Sequence, residues 1–324
     1  MRVLITGGGG FIGRRLAKEL IENGGLSQGE ITHMTLLDIA FPEDMPRDPR
    51  LECIKADFSD ETVIRNILQH KPDVIFHLAA IVSGEAEKNL DLGMKVNFHA
   101  SFRLLELCRQ LAFHPRIVFA SSCAVFGGDV NKVIMDETGP KPRSSYGAQK
   151  AMVELLMNDY SRKGFLDARS LRLPTIAVRP GKPNAATSSF VSSIIREPLN
   201  GESASYPVPS ETVVWIHSPR SVVQNFIHAA NINEELLGDD RVINLPGLTT
   251  SIKEMIDSLE KITNPDVIKL ISFEPDEFLQ SIVLTWPPHF DTQRAINLGF
   301  VSDASSEEII RTYIDEEGIV INSD

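Results

Sequence analysis

Cysteine is scarce in this sequence: Cys53, Cys108 and Cys123 are the only three in 324 residues. An odd number at wide spacings argues against a disulfide framework and against a zinc knuckle, and no metal site is expected. The thiols are expected to stay reduced, as in a cytoplasmic protein. Basic charge is also short. The 32 Lys and Arg face 44 Asp and Glu, for a formal net charge of -12. Such a surface repels phosphate backbones and anionic lipid, so neither nucleic acid nor a membrane is expected as a partner. Long apolar runs are missing, and nothing approaches the ~18–20 residues of a membrane span. The opening Met1-Arg2-Val3-Leu4-Ile5 is too brief for the apolar core of a signal peptide and reads as a strand. Repeats, low-complexity tracts and charge blocks are lacking too.

What remains is an ordinary globular mixture, 42% hydrophobic and 23% charged. The length suits one large α/β unit with an appended lobe. Short β-branched or leucine-rich runs at 2–6, 35–38, 51–55, 74–78, 117–121 and 170–173 read as strands covered on both faces. Helical patterns follow at 11–22, 61–69, 92–111 and 147–162; Leu104, Leu105, Cys108 and Leu111 form one apolar stripe. Strands alternating with helices predict a doubly wound, Rossmann-type parallel sheet. Prolines become frequent after Pro180, with shorter elements between them. We therefore expect a dinucleotide-binding domain over 1–180, rejoined by 211–247, in which 241–245 is one more strand. Residues 181–210 and 248–324 would form a smaller substrate lobe.

The first strand runs into Thr6-Gly7-Gly8-Gly9-Gly10-Phe11-Ile12-Gly13 and then a helix. Gly7, Gly10 and Gly13 give the spacing of a phosphate-binding turn. Glycines let the backbone approach a pyrophosphate, which meets the helix N-terminus and its dipole; Phe11 and Ile12 lie within that turn. Asp38 ends the second strand, delayed by an insert at 23–30. A carboxylate there can accept the ribose hydroxyls of NAD and would repel the 2′-phosphate of NADP. Ile39, Ala40 and Phe41 supply no cation for that phosphate, so NAD is the expected cofactor. Asp57 and Phe58 follow the third strand and are expected to flank the adenine.

Ser121-Ser122-Cys123-Ala124-Val125-Phe126-Gly127 closes a strand, and Tyr146-Gly147-Ala148-Gln149-Lys150 follows one loop later. Tyr146 and Lys150 are one helical turn apart and share a face. A phenol with a pKa of ~10 is a poor base unless a neighbouring ammonium favours its phenolate. Such a pair can take a proton from an alcohol while a hydride leaves the same carbon, with Ser122 holding the alcohol oxygen. His77 and His217 lie on apolar strand-like segments and read as core histidines; Cys123 reads as packing.

On these segments, together with His77-Leu78-Ala79-Ala80, Val96-Asn97 and 295–300, the chain resembles the extended short-chain dehydrogenase/reductases, the NAD-dependent epimerase/dehydratase family. The resemblance implies that Ser122, Tyr146 and Lys150 are catalytic and that Asn97 shapes a helix kink and water relay behind Lys150. It also implies that Lys150 holds the nicotinamide ribose and that Leu78, Ala79 and Ala80, with Pro174, run along NAD. Pairing of two chains through helices 92–111 and 147–162 is implied as well, with Met152, Leu155, Leu156 and Tyr160 as apolar surface.

The nucleotide-sugar members carry Arg-Asp where this chain has Val213-Val214, so a pyrophosphate substrate would lose its cation. Dehydratases place Asp-Glu where Cys123-Ala124 stands. Residues 144–156, 171–176, 179–184, 188–190 and 196–199 instead resemble the D-erythronate dehydrogenase branch, which oxidises a small sugar acid at C2 with NAD. Such an acid needs a cation for its carboxylate, and Arg179 and Arg220 are the candidates. Ser83, Thr175, Asn184 and Ser188 are candidates for its hydroxyls, beside Ser122 and Tyr146. The alternatives are a nucleotide-sugar epimerase or dehydratase with the same three residues, and a non-catalytic NAD sensor, against which the intact Ser-Tyr-Lys set argues.

Overall fold

The computed structural model describes residues 1–128, 132–181 and 186–321. Seven parallel strands form the central sheet: β1 (Arg2–Thr6), β2 (His33–Asp38), β3 (Leu51–Lys55), β4 (Val74–His77), β5 (Arg116–Ser122), β6 (Asp167–Leu173) and β7 (Val242–Asn244). Their order is β7-β6-β5-β4-β1-β2-β3. The chain direction across the sheet reverses between β1 and β4, and ligands of such sheets bind outside the strand ends at that switch.

Alternation along the strands explains the two flanking layers. Val3 and Ile5 enter one core cluster, whereas Leu4 between them enters the other. Val74 and Phe76 face the first cluster and Ile75 the second. Both faces are apolar because both are covered. Helices Phe11–Asn23 and Pro219–Asn231 close the first layer. Helices Glu61–Leu68, Ser101–Leu111 and Ser145–Arg162 close the second.

The expected helix over 92–111 is interrupted. A short α-turn, Leu90–Gly93, passes into a π-helical stretch, Met94–Ala100, before the regular helix Ser101–Leu111. Asn97 sits in the π stretch and clamps one residue of the preceding loop: its Oδ1 accepts from Ile81 N at 2.7 Å and its Nδ2 donates to Ile81 O at 3.1 Å. Wide turns of this kind let a side chain leave the helical ladder for another partner.

A third core holds the lobe together, built from helices Ser189–Leu199, Ile252–Ile262 and Ser306–Glu317. Its three-stranded sheet orders Leu248–Ser251, Val213–His217 and Thr175–Ile176. Val213–His217 was grouped above with the returning segment, but it pairs here and buries Val214 and Ile216 in the lobe core. The return begins only with helix Pro219–Asn231, started by Ser218, whose side chain accepts from Ser221 N. Ala295 and Phe300 also pack on the central sheet's first layer, although they lie late in the chain.

Candidate active site

The glycine loop is built for close approach. Gly7 has φ of 73°, and a Cβ there would stand 2.7 Å from Ala79 N and 2.9 Å from Leu78 C. A Cβ on Gly13 would stand 2.4 Å from Gly7 O. Leu78 N donates to Thr6 O at 3.0 Å, so residues 78–80 run beside the loop. Helix Phe11–Asn23 begins at Gly10, which gives it no side-chain cap. Its first N–H groups are left for an anion. Ile12 points into the core, whereas Phe11 lines the cleft described below. Asp38 ends β2 beside the loop, where its Oδ2 accepts from Gly9 N at 2.9 Å and its Oδ1 from Ile39 N at 2.7 Å. The loop, the uncapped helix start and the strand-end carboxylate fit an adenine dinucleotide.

Two residues expected at the adenine are otherwise engaged. The Phe58 ring lies in the second core, 4.9 Å from the His77 ring centroid. Its side chain therefore packs inward, which leaves its backbone for any contact with the adenine. Asp57 Oδ1 accepts from Ser59 N at 2.8 Å and Ser59 Oγ at 2.7 Å. Those bonds hold its carboxyl below the usual range.

A cleft of about 160 Å³ opens at the carboxyl ends of β5 and β6, between the sheet and the lobe. Ser83, Ser122, Tyr146, Pro174, Thr175, Arg179 and Ser188 all line it. Lys150 lies behind Tyr146, 2% exposed. Its Nζ donates to Ala120 O at 2.7 Å and sits 5.4 Å from the Tyr146 ring centroid. Ser122 is the last residue of β5; its Oγ accepts from Ala124 N at 3.1 Å, and it lines the cleft together with Tyr146. Asn97 backs the cleft without lining it, donating to Gln149 Oε1 at 2.8 Å.

The electrostatics differ from the simple ammonium–phenol pair. Burial pushes the Tyr146 phenol up, with Cys123 next; the Arg179 charge and the Ser122 hydroxyl pull it back. Burial brings Lys150 down to about 7, with Glu154 opposing. The ammonium lies over the tyrosine ring rather than at its hydroxyl.

Arg179 is the cation among the described residues that line this cleft. Its Nη2 donates to Ser188 Oγ at 2.7 Å and its Nε to Ile176 O at 3.1 Å. Burial, then Arg196, lowers its pKa to about 10, which leaves it charged at neutral pH. No carboxylate among the described residues lies within ion-pair distance of it. Arg220 does not join it. Arg220 Nε is bound to Glu316 Oε1 at 2.6 Å in a separate groove. Ser83 Oγ bridges the cleft to Thr187 Oγ1 at 3.1 Å. Asn184 lies outside the described residues.

Glu87, Thr187, Ile282 and Trp286 also line the cleft and were not anticipated. They come from three places in the chain, with no local motif to mark them. His77 sits between Thr6 Oγ1 at 2.7 Å and Ser101 Oγ at 2.8 Å, and burial lowers it to about 3. His217 is bound by Asp303 and Asn225, each at 2.9 Å. Both histidines are interior groups with closed partner sets.

Residues 3–231 match the model of the NAD dependent epimerase/dehydratase family. D-erythronate dehydrogenase of Cupriavidus necator is 48% identical over 98% of this chain and 99% of its own length. D-erythronate dehydrogenase of Haemophilus influenzae is 45% identical over 97% and 99%. A solved structure described as the nucleoside-diphosphate-sugar epimerase from Agrobacterium tumefaciens is 42% identical, covers 99% of this chain and 96% of that one, and has a TM-score of 0.93.

Proposed function

Since the chain belongs to the NAD dependent epimerase/dehydratase family and uses NAD, we propose that it oxidises a small sugar acid at C2, D-erythronate to 2-dehydro-D-erythronate. The observation that carries the reading is Arg179: a charged guanidinium beside Tyr146 with no carboxylate partner among the described residues. A substrate carboxylate completes it with charge-assisted hydrogen bonds. The two D-erythronate dehydrogenases support the substrate assignment.

In this reading Ser122 holds the C2 hydroxyl and Tyr146 Oη takes its proton. Lys150 and Arg179 flank the tyrosine and lower the cost of its phenolate. Ser83, Thr175 and Ser188 stand within the same cleft for the hydroxyl tail. Bound NAD supplies the acceptor for the hydride. Gly7, Gly10 and Gly13 would hold its pyrophosphate, Asp38 its adenosine ribose, and Lys150 its second ribose.

The Agrobacterium structure favours a second reading, a nucleotide-sugar epimerase. Against it, Val213 and Val214 carry no charge, and Val214 is buried in the lobe core. Both readings are tested together by following NADH over C3–C6 aldonic acids beside UDP- and dTDP-sugars. NADH should form with D-erythronate and UDP-glucose should bind little or not at all. Micromolar UDP-glucose affinity with no activity on any C4 acid would reverse the assignment.

Preference for NAD over NADP should follow from Asp38, since Ile39, Ala40 and Phe41 give a 2′-phosphate nothing to pair with. kcat/KM for the two cofactors decides the matter, and equal use of NADP refutes it. Asp38→Ala should narrow the gap.

The reading includes a homodimer in a reducing cytoplasm. Leu155 is 68% exposed on helix Ser145–Arg162 and Phe102 36% exposed on its neighbour, apolar area that a second chain would cover. Tyr160, expected on that surface, instead turns inward and bonds to Glu106. Light scattering should give twice the chain mass at micromolar concentration, and Leu155→Asp should halve it. A monomeric wild type would end the pairing.

A further inference from the structure

Helix Ser189–Leu199 presents one stripe of residues to the cation of the cleft. Phe190, Val191, Ile194 and Ile195 of this helix lie in the lobe core. Ser188, Ser192 and Arg196 stand four residues apart and follow one another along a single face. Each meets a different part of Arg179. Ser188 begins the helix but makes no capping bond; its Oγ accepts from Arg179 Nη2 at 2.7 Å. Ser192 Oγ accepts from Arg179 N at 3.0 Å. Arg196 Nη1 donates to Arg179 O at 2.7 Å. Both main-chain polar groups of Arg179 thus end on side chains of one helix, and Ser192 and Arg196 are only 1% and 5% exposed.

We propose that Arg196 is a positioning residue for substrate binding: by holding the Arg179 carbonyl from the helix, it sets where the Arg179 guanidinium stands in the cleft. The proposal rests on the assignment of Arg179 to the substrate carboxylate given above.

The residue after Arg196 completes the arrangement. Arg196 Nη2 donates to Glu197 Oε1 at 2.6 Å and to Ser193 Oγ at 3.2 Å. Glu197 is itself buried, so the charge of Arg196 is answered within the helix. Arg179 meets only neutral partners in Ser188, Ile176 and Ser192, and its charge is left for a ligand. A neutral amide at position 196 could hold the carbonyl but would not offset Glu197. A guanidinium does both, because its fork carries donors on separate nitrogens. A buried ion pair is no proof of a stabilising role, since neutral replacement of both partners is often tolerated. That fact supplies the test.

Arg196→Met/Glu197→Gln removes the pair together and leaves no buried charge uncompensated. KM for a sugar acid should rise about tenfold, the scale of one hydrogen bond made by a charged group, while kcat changes much less. Arg196→Lys keeps a cation for Glu197 and guards against loss of the fold. With one nitrogen for two acceptors, it should raise KM severalfold. The deciding comparison repeats the paired substitution in Arg179→Met. A residue that acts through Arg179 has nothing left to position there, so KM should move by no more than about twofold. A second readout needs no substrate. In protein labelled with 15N-arginine, the Arg179 Nε–H, bonded to Ile176 O at 3.1 Å, is identified by its loss in Arg179→Met. Its exchange with solvent should quicken about tenfold or more in the folded variants. Unchanged KM in either folded variant, or an equal rise with and without Arg179, would overturn the proposal and leave Arg196 as support for the lobe alone. A wild type inactive on sugar acids would count against the function reading instead, and unchanged Nε–H exchange would then overturn this one.

Discussion

Tyr146→Phe should lose ~10²–10⁴-fold or more in turnover while NAD still binds. The substitution removes one hydroxyl and keeps the ring that packs against Lys150. Proton transfer from the substrate alcohol then loses its acceptor; Glu87, the carboxylate among the described lining residues, is engaged by Ser145 N at 2.8 Å. His77 and His217, the two histidines singled out from the sequence, have both ring nitrogens engaged in the interior. Cys123 lines the cleft, but burial pushes its thiol up to about 12, far from a working base. The loss should appear in kcat and in kcat/KM together, because the phenolate forms its important contacts in the transition state. Calorimetric titration with NAD separates the loss from a binding defect. Lys150→Met should damage both quantities. Wild-type kcat in Tyr146→Phe would remove the mechanism.

The sheet was legible in the sequence because burial on both faces leaves a simple trace. Val3, Leu4 and Ile5 are all apolar, though they serve two different cores. Six of the seven strands are mostly buried; Leu51–Lys55, at the sheet edge, has no buried residue. The lobe sheet was not legible for the same physical reason in reverse. Thr175–Ile176 is two residues long, and Val213–His217 looks like any buried strand. An apolar run states that it is covered, not by which sheet it is paired. The directions of the Phe58 and Tyr160 rings were hidden for the same reason. Each is an aromatic beside a functional segment, and only the fold says that one turns to His77 and the other to Glu106.

The site was legible where spacing along one element fixes geometry. Tyr146 and Lys150 share a helix face whatever the tertiary structure, and the glycines need only a strand before and a helix after. Partners distant in sequence were not. Nothing near Arg220 announces Glu316, 96 residues further on. Nothing near Glu154 announces Arg172 on the neighbouring strand. A charge acquires its role from the opposite charge that the fold brings or withholds, and that pairing is a tertiary property.

Withholding decides the second large effect. Arg179→Met should raise KM for a sugar acid by ~10–10²-fold, the equivalent of one lost charge-assisted hydrogen bond of ~1.5–3 kcal/mol. kcat should change much less, because a carboxylate remote from the reacting carbon is held equally in ground and transition states. Some loss in kcat is expected from Tyr146, since the Arg179 charge also pulls its pKa down. Arg179→Lys should recover part of the affinity as a point charge, without the fork that now spans Ser188 and Ile176. Arg220→Met is the matched control. Its guanidinium is spent on Glu316 in another groove, so KM should stay within about twofold. Cofactor affinity should be unaffected in both. If Arg179→Met leaves KM unchanged while Arg220→Met raises it, the carboxylate is anchored elsewhere and the cleft has been assigned the wrong cation.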